Sequence, residues 1–183
     1  MGIFDFFKKK DKEHHYDVTN LQITDLQKKF LIDYDLKTWE VKDVFEYDWG
    51  KNNFSMEYQL ECEDDTIYLH IEKDDDLELT ISKKIRISSI EEKNVKEHIL
   101  NTNEPPKILH YKGIEFYLEE EATGYYRNID NPRENSQEFI SWDYYDKKEK
   151  YILNVEQWGE REFDASFGKV IKEFEFSNII PAI

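Results

Sequence analysis

An internal repeat constrains this chain more than any other feature: the stretch from about residue 30 to 87 recurs, strand by strand, from about 107 to 176. Tyr34, Trp39 and Val41 map onto Tyr111, Phe116 and Leu118 at a constant offset of 77. Ser55, Met56, Glu57 and Tyr58 then map onto Ser141, Trp142, Asp143 and Tyr144 at 86, so the second copy carries nine extra residues, placed in the polar run from Arg127 to Ser136. Leu69, Ile71 and Glu72 correspond to Leu153, Val155 and Glu156 at 84, and Leu77, Leu79 and Ile81 to Phe163, Ala165 and Phe167 at 86. The offset changes only at turns, where insertions are tolerated because loop-closure entropy grows slowly with length.

Inside each copy the period is two. Phe54, Met56, Tyr58, Leu60 and Cys62 alternate with Ser55, Glu57, Gln59, Glu61 and Glu63, and Ile67, Leu69 and Ile71 alternate with Tyr68, His70 and Glu72. That is the pattern of strands buried on one face. Short polar turns such as Asp146-Lys147-Lys148-Glu149 separate the runs. The expectation is an all-β fold: two tandem antiparallel β-meanders, related by a pseudo-two-fold axis and packed as a sandwich or partly closed barrel, each covering the other's apolar face. Ser88-Ser89-Ile90-Glu91-Glu92 ahead of Val95, Ile99 and Leu100, with Pro105-Pro106 beyond, predicts one connecting helix over about 90–100. A short helical turn is expected at Ile23 to Gln27. Residues 1–18 read as a leader and 19–183 as a single domain.

With 183 residues the chain can bury a sizeable core without disulfides, and its 15% aromatic content must supply much of it. No apolar run approaches the roughly 20 residues that cross a bilayer, and no secretory signal pattern is evident, so a cytoplasmic location is expected. The lone Cys62 falls on the apolar face of its strand, where a thiol is inert. The 41 acidic against 25 basic residues give a net charge of -16, which argues against nonspecific nucleic-acid binding. Glu57, Glu72 and Glu78 correspond to Asp143, Glu156 and Asp164, and the alternation places these six carboxylates on outer sheet faces. Either they form a solvated surface that discourages edge pairing, or they bind something cationic: a polyamine, a basic tail or a metal ion. A pocket where the meanders meet would be lined by Tyr58, Trp142, Tyr144 and Trp158.

Catalytic and metal motifs are thin. His14-His15 lacks a ligand spacing, Asp74-Asp75-Asp76 lacks the rest of a calcium loop, and there is no Gly-rich phosphate loop, nucleophile elbow or Cys-x-x-Cys. Glu72 and Glu156 are conceivable as an acid/base pair, but equivalent positions in two repeats point first to structural equivalence. No catalytic residue, cofactor or metal is therefore assigned. The segment Met1-Gly2-Ile3-Phe4-Asp5-Phe6-Phe7-Lys8-Lys9-Lys10 places an apolar plug beside a basic cluster. Phe4, Phe6, Phe7, Lys8, Lys9 and Lys10 are the candidates for contact with the inner face of a membrane; docking on the chain's own domain is the alternative.

Trp39-Glu40-Val41, Met56-Glu57-Tyr58-Gln59-Leu60, Ile67-Tyr68-Leu69-His70-Ile71-Glu72, Tyr111-Lys112-Gly113-Ile114-Glu115-Phe116 and Val155-Glu156-Gln157-Trp158-Gly159-Glu160, in this order, are similar to the bacterial family of domain of unknown function 4178. The resemblance runs from about Leu26 to Phe176. Met56 stands where the family pattern has Trp, while the second copy keeps Trp142-Asp143-Tyr144. The resemblance brings no catalytic residues with it. It implies an accessory protein working beside a membrane-stress system or polyamine-making enzymes, with a protein partner at the envelope. A noncatalytic binding module is the first expectation; a small-ligand protein or enzyme with a pocket between the repeats is the alternative.

Overall fold

The computed structural model describes residues 21–63, 65–73 and 76–182. Five strands come first: β1 (Leu31–Tyr34), β2 (Lys37–Gly50), β3 (Asn53–Cys62), β4 (Asp65–Lys73) and β5 (Leu77–Ile85). The one α-helix among the described residues, α1 (Val95–Thr102), follows. Then come β6 (Ile108–Tyr111), β7 (Ile114–Asn128), β8 (Gln137–Asp146), β9 (Tyr151–Trp158), β10 (Glu162–Ile171) and β11 (Phe176–Ile180). β1–β5 and β6–β10 are each an antiparallel meander, as the period-two pattern predicts, and β11 pairs with β1.

Two seams join the meanders. β5 pairs with β10, from Leu79 opposite Ile171 to Ile85 opposite Ala165. β2 pairs with β7, from Phe45 opposite Asn128 to Asp48 opposite Tyr125. With both seams hydrogen-bonded, β2-β3-β4-β5-β10-β9-β8-β7 closes into an eight-stranded barrel, where a sandwich or a partly closed barrel was expected. Two strand glycines sit close to these seams. A Cβ on Gly168 would run into the Ile81 carbonyl oxygen and come within 2.8 Å of the Ser82 Cβ, and one on Gly124 would meet the Asp48 carbonyl at 3.0 Å. Glycine in a strand marks such close approaches.

The apolar faces do not cover each other. Tyr58, Leu60, Leu69, Ile71, Leu79 and Ile81 cluster with Ile32 and Tyr34 of β1, Trp39 and Val41 of β2, Ile23 and Leu26 from the preceding segment, and Phe176 of β11. A separate cluster joins Trp142, Tyr144, Leu153, Val155 and Ala165 to Leu109 and Phe116 of the β6–β7 hairpin and to Ile90, Val95 and Ile99 around α1. Each meander is thus covered mainly by its own local elements. The device that permits this is a bulge in each long strand, between Val41 and Asp43 in β2 and between Leu118 and Glu120 in β7. One extra residue switches the face to which all later side chains point. Trp39 and Val41 therefore enter a core, while Tyr47 and Trp49, of the same parity, line the barrel interior.

The expected helix is found, later than predicted. Ser89 does not cap it; its hydroxyl donates to the Arg86 carbonyl within a 3-10 turn (Ile87–Ser89). Residues 91 and 92 are held by β6 instead: the Glu91 amide donates to the His110 carbonyl at 2.8 Å, and the Glu92 carboxylate accepts from the His110 amide at 2.7 Å. The predicted turn near Ile23 is a 3-10 turn (Ile23–Asp25), where Asp25 accepts from the Gln22 amide. Cys62 packs against the first core, as its parity requires.

The extra residues between β7 and β8 act as a latch across the β2–β7 seam. Arg127 Nε donates to Glu46 at 2.9 Å and Arg133 to the same carboxylate at 3.1 Å. The Ile129 amide donates to the Val44 carbonyl, and Lys28 bridges Asp43 and Asp130 at 2.8 Å each. Replacing Gly168 by Ala should lower stability by about 1–3 kcal/mol, the usual cost of overpacking, and Gly124→Ala should cost less, in line with its longer contact. Thermal unfolding measures both. A Gly168→Ala protein melting with wild type would contradict the close β5–β10 approach.

Candidate functional site

A cavity of about 370 Å³ is lined by residues from all eight barrel strands, so it is the barrel interior. Eight strands leave room for filling side chains or for one small ligand. Alternation fills the interior with the polar parity of each strand. β3 sends in Asn53 and Glu57, β4 Tyr68, His70 and Glu72, and β5 Glu78, Thr80, Ser82 and Lys84. The second meander adds Glu120, Ser141, Asp143, Asn154, Glu156 and Asp164.

All six carboxylates singled out in the sequence line this one space, together with Glu120. Their expected place on outer faces is corrected. The apolar parity is covered from outside by the hairpins and α1, so the polar parity is what the two halves turn toward each other. The expected aromatic lining is also corrected. Tyr58 lies in the first apolar core and Trp142 and Tyr144 in the second. Trp158 alone of the four borders the interior, in a recess of about 250 Å³ that shares Tyr47, Lys84, Glu156 and Asp164 with the main cavity.

Sequence reasoning missed the aromatic group at the β2–β7 seam. Tyr47 meets Phe139 at 5.4 Å and Tyr126 at 4.9 Å between ring centroids, and Phe139 stacks on Trp158 at 4.9 Å. Trp49 stacks on Tyr47 and donates its ring N–H to Ser55 at 2.8 Å. The Trp158 ring nitrogen is buried without a hydrogen-bond partner among the described residues.

The interior divides electrostatically along its length. Glu78 and Lys84 stand six residues apart on one face of β5, about 20 Å at ~3.3 Å per residue. At the Lys84 end the ammonium lies 3.2 Å from Asp164 and over the Tyr68 ring. Burial works against its charge, yet Asp164, Glu156 and Glu57 outweigh burial and hold it above the ordinary lysine value. Toward the other end stand Glu78, exposed Glu120, Glu72 and Asp143. Glu72 sits directly across from Glu78 in the β4–β5 register. Asn154 donates both to Ser141 at 2.7 Å and to Asp143 at 2.6 Å.

Enclosure changes the chemistry of the central acids. Burial pushes Glu57 up to about 7, against the pull of Lys84 and the Tyr47 hydrogen bond. Burial, then the neighbouring Glu57 charge, lifts Glu156 to about 8. Asp143 rises to about 6, again through burial, with the Asn154 hydrogen bond opposing. Burial lowers His70 to about 4, so its ring is neutral where it meets Tyr47 edge-on at 5.2 Å. Glu156 therefore feels Glu57 first and Asp143 less, whereas Glu120 and then Glu72 act on Asp143. Among the described residues, no three His, Cys, Asp or Glu side chains converge closely enough to hold a metal ion. No described helix is long and apolar enough to cross a membrane, which says nothing of strands. Phe4, Phe6, Phe7, Lys8, Lys9 and Lys10 lie outside the described residues.

Glu57 and Glu156 have folded values of about 7 and about 8 against 4.5 in the free side chain. The folded chain thus keeps protons that the unfolded chain releases, and stability falls as pH rises toward those values. His70, with a folded value of about 4, acts in the opposite sense only below its ordinary 6.5. Urea unfolding should therefore show stability dropping as pH rises from about 4.5, the free carboxyl value, to about 8, with His70 offsetting part of the drop below 6.5. Glu57→Gln with Glu156→Gln should remove most of that drop. An unchanged slope in the double variant would show that these carboxyls are not the source.

The sequence is 25% identical over 176 residues to an uncharacterized protein of Aquifex aeolicus (strain VF5), spanning 96% of this chain and 94% of that one. No solved structure matches it. Residues 29–173, which hold all eight barrel strands, match the family described as Domain of unknown function (DUF4178), and the chain belongs to that family.

Proposed function

We propose that this chain is a noncatalytic binding module whose barrel interior takes an extended organic polycation of the polyamine class. The observation that carries the reading is the lining of the barrel interior by seven carboxylates, Glu57, Glu72, Glu78, Glu120, Asp143, Glu156 and Asp164, of which Glu78, Glu120 and Asp164 are exposed, against one lysine among the described residues, Lys84. Burial holds Glu57, Asp143 and Glu156 above the ordinary carboxyl value, and a cation placed beside them would favour their charged forms. The carboxylates are spread along the barrel instead of converging on one point, which favours a ligand with several separated ammonium groups over one compact ion. The volume, about 370 Å³, falls at the small end of the roughly 300–1,000 Å³ usual for ligand sites.

We also read the halves as two copies of one meander related by a pseudo-two-fold. In support, each half runs from a short strand to a long bulged strand to three of middle length, and the seams join second strand to second and fifth to fifth. An accessory role beside a membrane-stress system rests on the family resemblance alone.

Calorimetric titration with spermine, at ionic strength matched with sodium chloride, tests the reading. Wild type should bind, Glu57→Gln with Glu156→Gln should weaken binding at least about tenfold, as losing hydrogen-bonded charge partners does, and Glu97→Gln on the exposed side of α1 should leave it unchanged. Absent binding, or binding that the double variant retains unchanged, would overturn the polyamine reading.

A further inference from the structure

We propose that Lys84 is a tethered counter-ion that occupies one end of the barrel interior in place of the ligand and must be displaced by any cation long enough to span it. The inference rests on the polyamine reading of the cavity, and it assigns the residue that sets affinity and length preference there.

Lys84 is the one basic residue, apart from neutral His70, among the described residues that line the cavity. Its ammonium is paired with Asp164 at 3.2 Å and feels Glu156 and Glu57 from β9 and β3. It also borders the recess with Trp158 and Glu162, so it stands between that recess and the main interior. Half of the Lys84 side chain remains exposed (50%), and its partner Asp164 is equally open (52%). The four-carbon stem can therefore swing into solvent without disturbing the wall, and an exposed ion pair of this kind is readily exchanged. The other end, with Glu78, Glu120 and Asp143, contributes no basic lining side chain among the described residues. A short diamine can settle there and leave Lys84 in place. A longer polyamine puts an ammonium into the group around Glu57, Glu156 and Asp164, where it competes with Lys84 for the same oxygens.

The test compares spermine with 1,4-diaminobutane on the full chain by calorimetry. Lys84→Met and Lys84→Gln should bind spermine on the order of tenfold more tightly than wild type, the scale expected when a competing unit charge leaves a partly enclosed site. Their gain for 1,4-diaminobutane should be smaller, and Lys84→Arg should match wild type. Thermal unfolding checks that each variant is folded. In wild type, the side-chain ammonium resonance of Lys84 should shift on adding spermine, a measurement that needs no variant. If wild type binds spermine but both neutral variants bind it no better, or if the Lys84 resonance stays fixed at saturation, the tethered-counter-ion proposal is wrong while the cavity reading stands. If wild type binds neither amine, both fall. Weaker binding of spermine by the neutral variants overturns the proposal and makes Lys84 a part of the wall that spermine needs in place.

Discussion

Everything in this fold depends on a rule of strand geometry: successive side chains point to opposite faces, so one inserted residue reverses the assignment of all that follow. β2 and β7 each use that rule once. Before the bulge their side chains complete an apolar core with a neighbouring hairpin; after it they form the wall of a polar chamber. Without the reversal, Tyr47 and Trp49 would share a face with Trp39 and Val41, and the β2–β7 seam could not close around a common interior. The seam carries the latch between β7 and β8 because it is the place where this inversion must be held.

The strands, their order and the polar insertion after Arg127 were legible because each depends on local periodicity or on turn chemistry. Which face would be inside was not. Alternation says that two faces differ, and it is silent about what covers each. The covering elements are short: β1, β6, the 3-10 turn (Ile23–Asp25) and an eight-residue helix. The β2 bulge at Lys42 leaves no trace in composition. In β7 there was a readable sign, since Phe116 and Leu118 are followed on the same parity by Glu120. A strand that turns acidic on its apolar side has changed partners. The six carboxylates therefore face the barrel interior and not the outer surface that alternation alone suggests, and Tyr58, Trp142 and Tyr144 fill cores and do not line a pocket.

Gathering carboxylates in a closed barrel is opposed by their mutual repulsion and by desolvation. The chain meets this in several ways at once. Lys84 supplies one positive charge, Asn154 holds Asp143, Tyr47 donates to Glu57, and the deepest acids keep their protons near neutrality. Asn154 and Tyr47 are fixed features of the wall, and Lys84 is held by an exposed ion pair. Proton occupancy is adjustable, so the interior can change its charge without moving its backbone.

Two separate cores on the outside and one shared chamber on the inside divide the sequence into independent registers. A substitution in the first core, at Leu69 for example, has no packing neighbour in the second, so its effect on stability should add to that of a change at Leu153. Chamber residues come from both halves and face one another, so a change on β3 alters the surroundings of β9. Descendants of such a chain are free to rework either core alone, but any new ligand preference requires its two halves to change in concert.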